Sequence, residues 1–382
     1  MEITLDDVRR SAVTRSLFPP TTLKRALHKM GFLQADPIRA PARAQDLILR
    51  HRVKNYRAGD LEGRYAKLGV HEDFFINYGF VTSELQALMH PRIKAPFTAQ
   101  GGNSWTSGRR KRAGILLEFV REKGVVHPEE VDRHFGHGSV TNYWGGSSNA
   151  TTHLLSALHY QGLLRVVGRA AGIRLYSLHD HGGALIDKAE RDARLDALVD
   201  AVMRVYAPMP VNRLKTVGMR LRYATPQWER AIPAALRRAE KRLPHTRVDG
   251  TEWYWATCEN FKMTAPDETV RFLAPFDPVV WDRHRFERLW GWTYRFEAYT
   301  PIAKRVRGYY ALPMLWRDQV IGWVNLAVKD ETLVAEFGYV DAAPKDFNFV
   351  RELEAEMERT RKFLGLNSGT RGSDRIKGKE LE

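Results

Sequence analysis

Apolar positions near the N-terminus recur at helical spacing and are bracketed by capping residues. After Thr4 they predict a short helix over Leu5 to Val13, and after Thr21 a second over Thr22 to Met30. Thr4 and Thr21 are the expected N-caps and Gly31 the expected stop. The stretch Phe32-Leu33-Gln34-Ala35-Asp36-Pro37 follows. Asp before Pro is a helix-start signal, with Asp36 as N-cap and Pro37 in the first turn, so a helix is expected from there to about Arg52. Ile38, Ala42, Gln45 and Leu49 share one face of it; Arg39, Arg43 and Arg50 lie on another.

Farther along, Ala113–Glu122, Pro128–His134 and Asn149–Gln161 carry helical patterns ended by glycine or a short turn. Leu163–Val167 and Ile173–Ser177 then flank Gly168-Arg169-Ala170-Ala171-Gly172 and predict a β-hairpin. Three helices followed by a hairpin predict a winged helix-turn-helix, with the third helix as groove reader and Arg169 on the wing tip. Helical patterns over Ala184–Tyr206, Val211–Leu221 and Pro226–Leu243, then an Asp249-Gly250 hairpin turn, repeat the scheme. Beyond Val270 the pattern changes to aromatic-rich strands, including Tyr309–Trp316, Val320–Leu326 and Thr332–Tyr339, and a closing helix over Phe347–Leu364. The expected class is therefore α+β: tandem winged helix-turn-helix units followed by a small C-terminal antiparallel β-barrel. The divisions fall at 1–108 (a degenerate unit bearing the candidate motif), 109–182, 183–268 and 269–366. A Gly/Ser/charged tail over 367–382 is expected to be disordered.

Charge narrows the partner. Lys and Arg number 60 against 45 Asp and Glu, a formal excess of +15. No long polybasic tail carries it, so the charge sits on folded faces and points to a polyanion. Cys258 is the only cysteine, which excludes an intrachain disulfide or a multi-thiolate zinc site. His127, His134 and His137, or His179 and His181, match no zinc spacing, so neither metal nor cofactor is expected. Acidic and basic residues at the N-terminus argue against a signal peptide, and no apolar run approaches a membrane span; a cytoplasmic, nucleoid-associated protein is expected. There is no phosphate-binding glycine loop, nucleophile elbow or dinucleotide fingerprint.

Two stretches carry a resemblance. Gln34-Ala35-Asp36 at the head of an arginine-bearing segment resembles the Gln-apolar-Gln/Asp motif of the AlkZ/YcaQ winged-helix DNA glycosylases, in the YcaQ-like version. The run Leu273-Ala274-Pro275-Phe276-Asp277-Pro278-Val279-Val280-Trp281-Asp282-Arg283, continuing through Tyr294–Pro301 and Lys304-Arg305 to Gly308–Pro313, resembles the C-terminal signature of the same family. The resemblance implies a monofunctional glycosylase hydrolysing the N-glycosidic bond of N7-alkylated purines, including interstrand crosslinks, in double-stranded DNA that carries alkylated or crosslinked guanine; the tandem units in one chain argue against needing a dimer, so a monomer is expected. Gln34 and Asp36 would be the catalytic pair: the carboxylate to orient water and stabilise an oxocarbenium-like sugar, the amide to hold that water. A helix N-terminus at Asp36 would keep it ionised. The same Asp-Pro placement is also that of an ordinary N-cap, and the two roles are compatible. One departure stands out: family members carry a Tyr-Trp-x-His-Glu-Ala stretch, whereas residues 77–82 here read Asn-Tyr-Gly-Phe-Val-Thr, without His and Glu.

Candidate DNA contacts are Arg39, Arg43, Arg50 and Arg52 beside the motif, Arg165, Arg169 and Arg174 on the expected wing, the cluster Lys304, Arg305 and Arg307, of which the signature covers the first two, and Arg317 in a turn. The rival class is a non-catalytic winged-helix DNA-binding protein or transcription regulator, which would read one sequence far more tightly than others.

Overall fold

Thr4 opens the first helix, Leu5–Ser16, by a reciprocal exchange with Asp7. The Asp7 amide donates to the Thr4 hydroxyl at 3.3 Å, and the Thr4 amide donates to the Asp7 carboxylate at 3.0 Å. A computed structural model describes residues 3–92, 106–136, 138–141, 147–180, 186–257, 265–366 and 377–380. The chain packs as two units, each discontinuous in sequence. One comprises Met1–Leu61, Asp200–Thr216 and Ala239–Glu382; the other comprises Glu62–Val199 and Val217–Arg238.

In the first unit, the second helix is Leu23–Met30 and its cap is Thr22 rather than Thr21. Thr21 instead bridges Val53: its amide donates to the Arg52 carbonyl and its carbonyl accepts from Lys54, both at 2.9 Å. Gly31, at φ +71°, ends the helix and the chain turns into a short strand, Phe32–Gln34. The long helix expected from Asp36 to Arg52 does not form. Residues 35–43 are irregular, and only Ala44–Leu49 is α-helical. Pro41 explains the difference: it has no N–H to donate, and its ring disfavours the helical conformation of Ala40.

Among the described residues, the C-terminal strands form an open five-stranded sheet, not a closed barrel. The order is Arg271–Phe272, Leu312–Trp316, Gln319–Lys329, Thr332–Tyr339, Lys377–Glu380. The first four are antiparallel neighbours; the last lies parallel to Thr332–Tyr339, within a tail expected to be disordered, most of which falls outside the described residues. Gly322 and Gly338 lie opposite Tyr339 and Trp323. A side chain at Gly338 would meet the Trp323 ring at 2.3 Å, so the ring lies flat across the sheet only because that position is glycine. A second, three-stranded sheet pairs His245–Val248 with Thr251–Tyr254 across the Asp249-Gly250 turn, and Thr251–Tyr254 with Met209–Pro210. Val13, Leu17, Leu273, Val280, Phe286 and Tyr294 share one buried core cluster with Leu315 and Val320.

In the second unit, helices Ser107–Lys123, Pro128–Phe135 and Ala150–Tyr160 pack with a sheet of Val125–Val126, Ile173–Leu178 and Leu164–Ala170. Leu116, Val120, Leu155, Leu158 and Tyr176 are fully or nearly fully buried among them. The hairpin turn is tighter than expected: only Ala171 and Gly172, both at positive φ, lie outside the strands, so Arg169 is in the strand, opposite Arg174. This unit also holds a hairpin that the apolar pattern did not predict, Val70–Phe74 with Tyr78–Thr82, followed by the helix Ser83–Met89. No helix among the described residues is long and apolar enough to cross a membrane.

Candidate active site

Gln34 is the last residue of the strand Phe32–Gln34 and is buried. Asp36 lies two residues on, half-buried, in the irregular stretch that Pro41 keeps out of a helix. Its Oδ1 accepts from the Ile38 amide at 2.9 Å, closing a local turn, and its own amide donates to the side-chain oxygen of the buried Gln45 at 3.3 Å. The carboxyl is therefore positioned by its neighbours rather than by a helix N-terminus. Its pKa moves accordingly: burial pushes it above the ordinary carboxylate value, and the Ile38 N–H offsets only part of that. The expectation that a helix dipole holds Asp36 firmly ionised is thus corrected. The direction favours a proton acceptor over a purely electrostatic group.

Two tyrosines from the C-terminal signature feel this charge. Tyr310 is 2% exposed, and burial together with Asp36 holds its phenol well above the usual range, so it stays a hydrogen-bond donor. Among the described residues its hydroxyl has no hydrogen-bond partner. Tyr299 is exposed and is also raised, by desolvation first and by Asp36 second.

Beside them opens a cleft of about 680 Å³, lined by Arg39, Arg305, Arg307, Tyr309, Tyr310 and Asn325 among others. Its wall is tightly tied. The carboxylate of the buried Glu297 accepts from the amides of Arg307 and Gly308 at 2.8 and 3.1 Å, while Asn325 donates to the Arg307 carbonyl at 2.6 Å. Gly308 sits at φ +121°, and a Cβ there would come within 2.4 Å of the Asn325 side chain. The Arg307 guanidinium lies over the Trp292 and Trp323 rings at 5.2 and 5.3 Å, and burial lowers its pKa without discharging it.

The structure sorts the arginines expected at DNA. Arg39 and Lys304 are exposed, and Arg305, which donates to the Thr300 carbonyl and lies over Tyr309, borders the cleft. Arg43 is partly exposed, and its charge offsets only part of the burial that raises the pKa of Asp46. Arg50 and Arg52 are not available to phosphate. Arg50 is buried against Glu356 at 2.9 Å and Thr360 at 3.0 Å. Arg52 is wholly buried, donating twice to Asp277 and also to the Ser16 and Ile48 carbonyls. Both were expected on a basic helix face that the chain does not build. Arg317 is held by Glu268 at 2.9 Å and lies over Trp316 at 4.3 Å.

In the second unit, Arg165 is exposed. Arg169 instead makes a two-pronged pair with Glu72, at 2.7 Å for both contacts, and Arg174 approaches the same carboxylate at 3.6 Å while covering Tyr78. Glu72 also accepts from the Tyr65 and Tyr78 hydroxyls, at 2.9 and 2.5 Å; burial pushes its pKa up, but Arg169 first, then the Tyr78 hydroxyl and Arg174, hold it below the ordinary value. Arg169 is therefore committed to the fold of this unit rather than presented at a wing tip. Glu72 follows His71, so a His-Glu pair is present after all. It lies on Val70–Phe74, the strand that pairs with the 77–82 stretch where the sequence lacks it. The dipeptide itself, five residues upstream of Asn77, was the signal that could have found it.

A family model described as "DNA glycosylase AlkZ-like" matches residues 27–363. Among solved structures the chain is similar to the Streptomyces sahachiroi DNA glycosylase AlkZ, at 15% identity over 100% of both chains and a TM-score of 0.62, a likeness of fold. With the model running from the second helix through the last turn of the closing helix, the chain belongs to the AlkZ-like DNA glycosylase family, whose chemistry is hydrolysis of N-glycosyl bonds in DNA.

Proposed function

We propose that the protein is a monofunctional DNA glycosylase that removes N7-alkylated purines, including those tied into interstrand crosslinks. The observation that carries this reading is Asp36. It is a half-buried carboxyl with a raised pKa, beside a buried phenol lacking a partner among the described residues and a cleft lined by arginines. N7 alkylation makes guanine a cationic leaving group, so the C1′–N9 bond can break with both electrons going to the base and little help from an acid. What the site must supply is negative charge near the sugar cation and a water to add to C1′. Asp36 takes the water's proton as its oxygen bonds to C1′. Gln34 holds that water, and the Tyr310 hydroxyl, still protonated, donates a hydrogen bond to the carboxylate or the water. No covalent enzyme intermediate is needed, so the product is free base and an intact abasic strand.

Arg39, Arg43, Lys304, Arg305 and Arg307 are the proposed phosphate contacts of the first unit. Residues 107–178 of the second unit are read as a winged helix, with Ala150–Tyr160 as the groove-facing helix and Arg165 as a backbone contact. Double-stranded DNA, in the nucleoid of the cytoplasm, is the partner and the protein works as a monomer. The test is product analysis on duplexes carrying one N7-methylguanine or one N7–N7 guanine crosslink. Release of 7-methylguanine, unhooking of the crosslink and alkali-labile but otherwise uncut strands support the reading; tight binding with no base released contradicts it.

A further inference from the structure

We propose that the loop Tyr299–Tyr309 is an apolar wedge that enters the base stack of duplex DNA beside the nucleotide being processed. This rests on the DNA reading above and deepens it, because it concerns how the same cleft gains access to a stacked base. Four of the ten large apolar side chains exposed among the described residues fall within this loop: Tyr299 at 64%, Ile302 at 79%, Val306 at 61% and Tyr309 at 44%. Single exposed apolar residues need no explanation, but a cluster does.

The loop holds this exposure in place. Residues Ile302–Lys304 form a 3-10 turn, with the Lys304 amide donating to the Pro301 carbonyl at 2.9 Å. Arg305 Nε donates back to the Thr300 carbonyl at 2.7 Å. Glu297 and Asn325 clamp the other end through the Arg307 and Gly308 backbone. These ties hold the loop in a conformation that leaves Ile302 and Val306 exposed, an apolar surface suited to a partner. Charge identifies the partner. Lys304 and Arg305 stand between the apolar residues, and Arg305 and Arg307 continue along the cleft wall, which suits a polyanion with an apolar interior. Duplex DNA has both, phosphates outside and stacked bases within. Aliphatic side chains slipped between base pairs unstack a step and kink the helix, while flanking cations hold the backbone. The alternative, an anionic bilayer, is less suited because Tyr299 lies within reach of the Asp36 charge, which puts the wedge at the reacting site.

The experiment places 2-aminopurine next to an N7-methylguanine in a duplex and follows its fluorescence on binding. It compares wild type, Ile302→Ala, Ile302→Ala/Val306→Ala, and Phe347→Ala as a control that removes an equally exposed apolar side chain elsewhere. Wild type and Phe347→Ala should raise the fluorescence several-fold. The double variant should lose most of that rise and excise from duplex about tenfold more slowly, with an unchanged Tm. Ile302→Ala alone should retain excision from single-stranded oligonucleotide, where there is no stack to open. A double variant with wild-type fluorescence rise and duplex rate overturns the wedge and leaves the glycosylase reading standing. A wild type that unstacks the base through Ile302 but releases none keeps the wedge and overturns the glycosylase. Wild type that leaves 2-aminopurine dark yet binds phosphatidylglycerol vesicles through Ile302 overturns the wedge in favour of a membrane surface.

Discussion

Both terminal guanidinium nitrogens of Arg52 meet the two carboxylate oxygens of Asp277, at 2.8 and 2.9 Å, with neither side chain exposed to solvent. The pair joins the segment after the candidate motif to the Phe276-Asp277-Pro278 signature, 225 positions away in sequence. Asp277 also accepts from the Val279 amide at 3.0 Å and Arg52 donates to two carbonyls, so the buried charges are fully hydrogen-bonded.

Removing one partner strands the other. Asp277→Asn or Arg52→Met is expected to destabilise the protein by about 3–5 kcal/mol, read as a fall in urea midpoint. Arg39→Ala and Arg305→Ala, by contrast, should leave unfolding within about 0.5 kcal/mol of wild type and lower the salt dependence of DNA binding by about one unit of slope each. If Arg52→Met instead unfolds like wild type and loses only DNA affinity, the division between fold-holding and DNA-facing arginines is wrong.

Asp36 costs stability where it is ionised. Its pKa is raised in the folded state, so the folded protein binds more proton than the unfolded chain between the ordinary value of 3.8 and the raised one. Stability therefore falls as pH rises through that window. Asp36→Asn keeps the acceptor for the Ile38 amide and removes the charge. Its Tm should exceed that of wild type at pH 7, with the difference shrinking towards pH 3. Equal Tm values at every pH would show that the carboxyl is not desolvated.

Tyr310→Phe removes a buried hydroxyl that has no partner among the described residues, so no hydrogen bond is lost from the free protein. Stability should be unchanged or improved, since an unsatisfied buried polar group costs about 1–3 kcal/mol. Excision should slow by roughly 10- to 100-fold if the hydroxyl serves the water or Asp36. A full-rate Tyr310→Phe enzyme would restrict Tyr310 to packing against Phe296.

Gly308→Ala tests the cleft wall. The position needs both φ +121° and the space that Asn325 closes to 2.4 Å. Backbone strain of about 1–3 kcal/mol is expected, with loss of excision exceeding the loss of stability, because the Arg307 carbonyl and the Tyr309-Tyr310 pair move with it. Adding Asn325→Gly should relieve the clash but not the strain; full recovery of the rate by that second change would assign the whole effect to the clash.

Sequence reading reached this site unevenly, for physical reasons. Local signals worked: capping put the first helix at Thr4, the Asp249-Gly250 turn formed, and the closing helix runs over Phe347–Leu364 as its pattern indicates. Gln34 and Asp36 are legible only through a motif, and their setting is not, because Pro41 overrides the helix-start signal of Asp36-Pro37. The alternation of the C-terminal strands is the same for an open sheet as for a barrel, so closure was not legible in it. Which arginine stays at the surface and which neutralises a buried acid depends on partners such as Asp277 and Glu356, far away in sequence. Tyr310 was visible within the signature, but its nearness to Asp36 is a property of the fold.

The most direct test of the central claim is the single-turnover rate of 7-methylguanine release from duplex DNA, measured with enzyme in excess for wild type and Asp36→Asn, alongside their affinities for the same duplex. A hydrolytic role for Asp36 predicts a fall of at least about 100-fold in the rate with affinity retained or increased. An Asp36→Asn protein that releases base at the wild-type rate would contradict it.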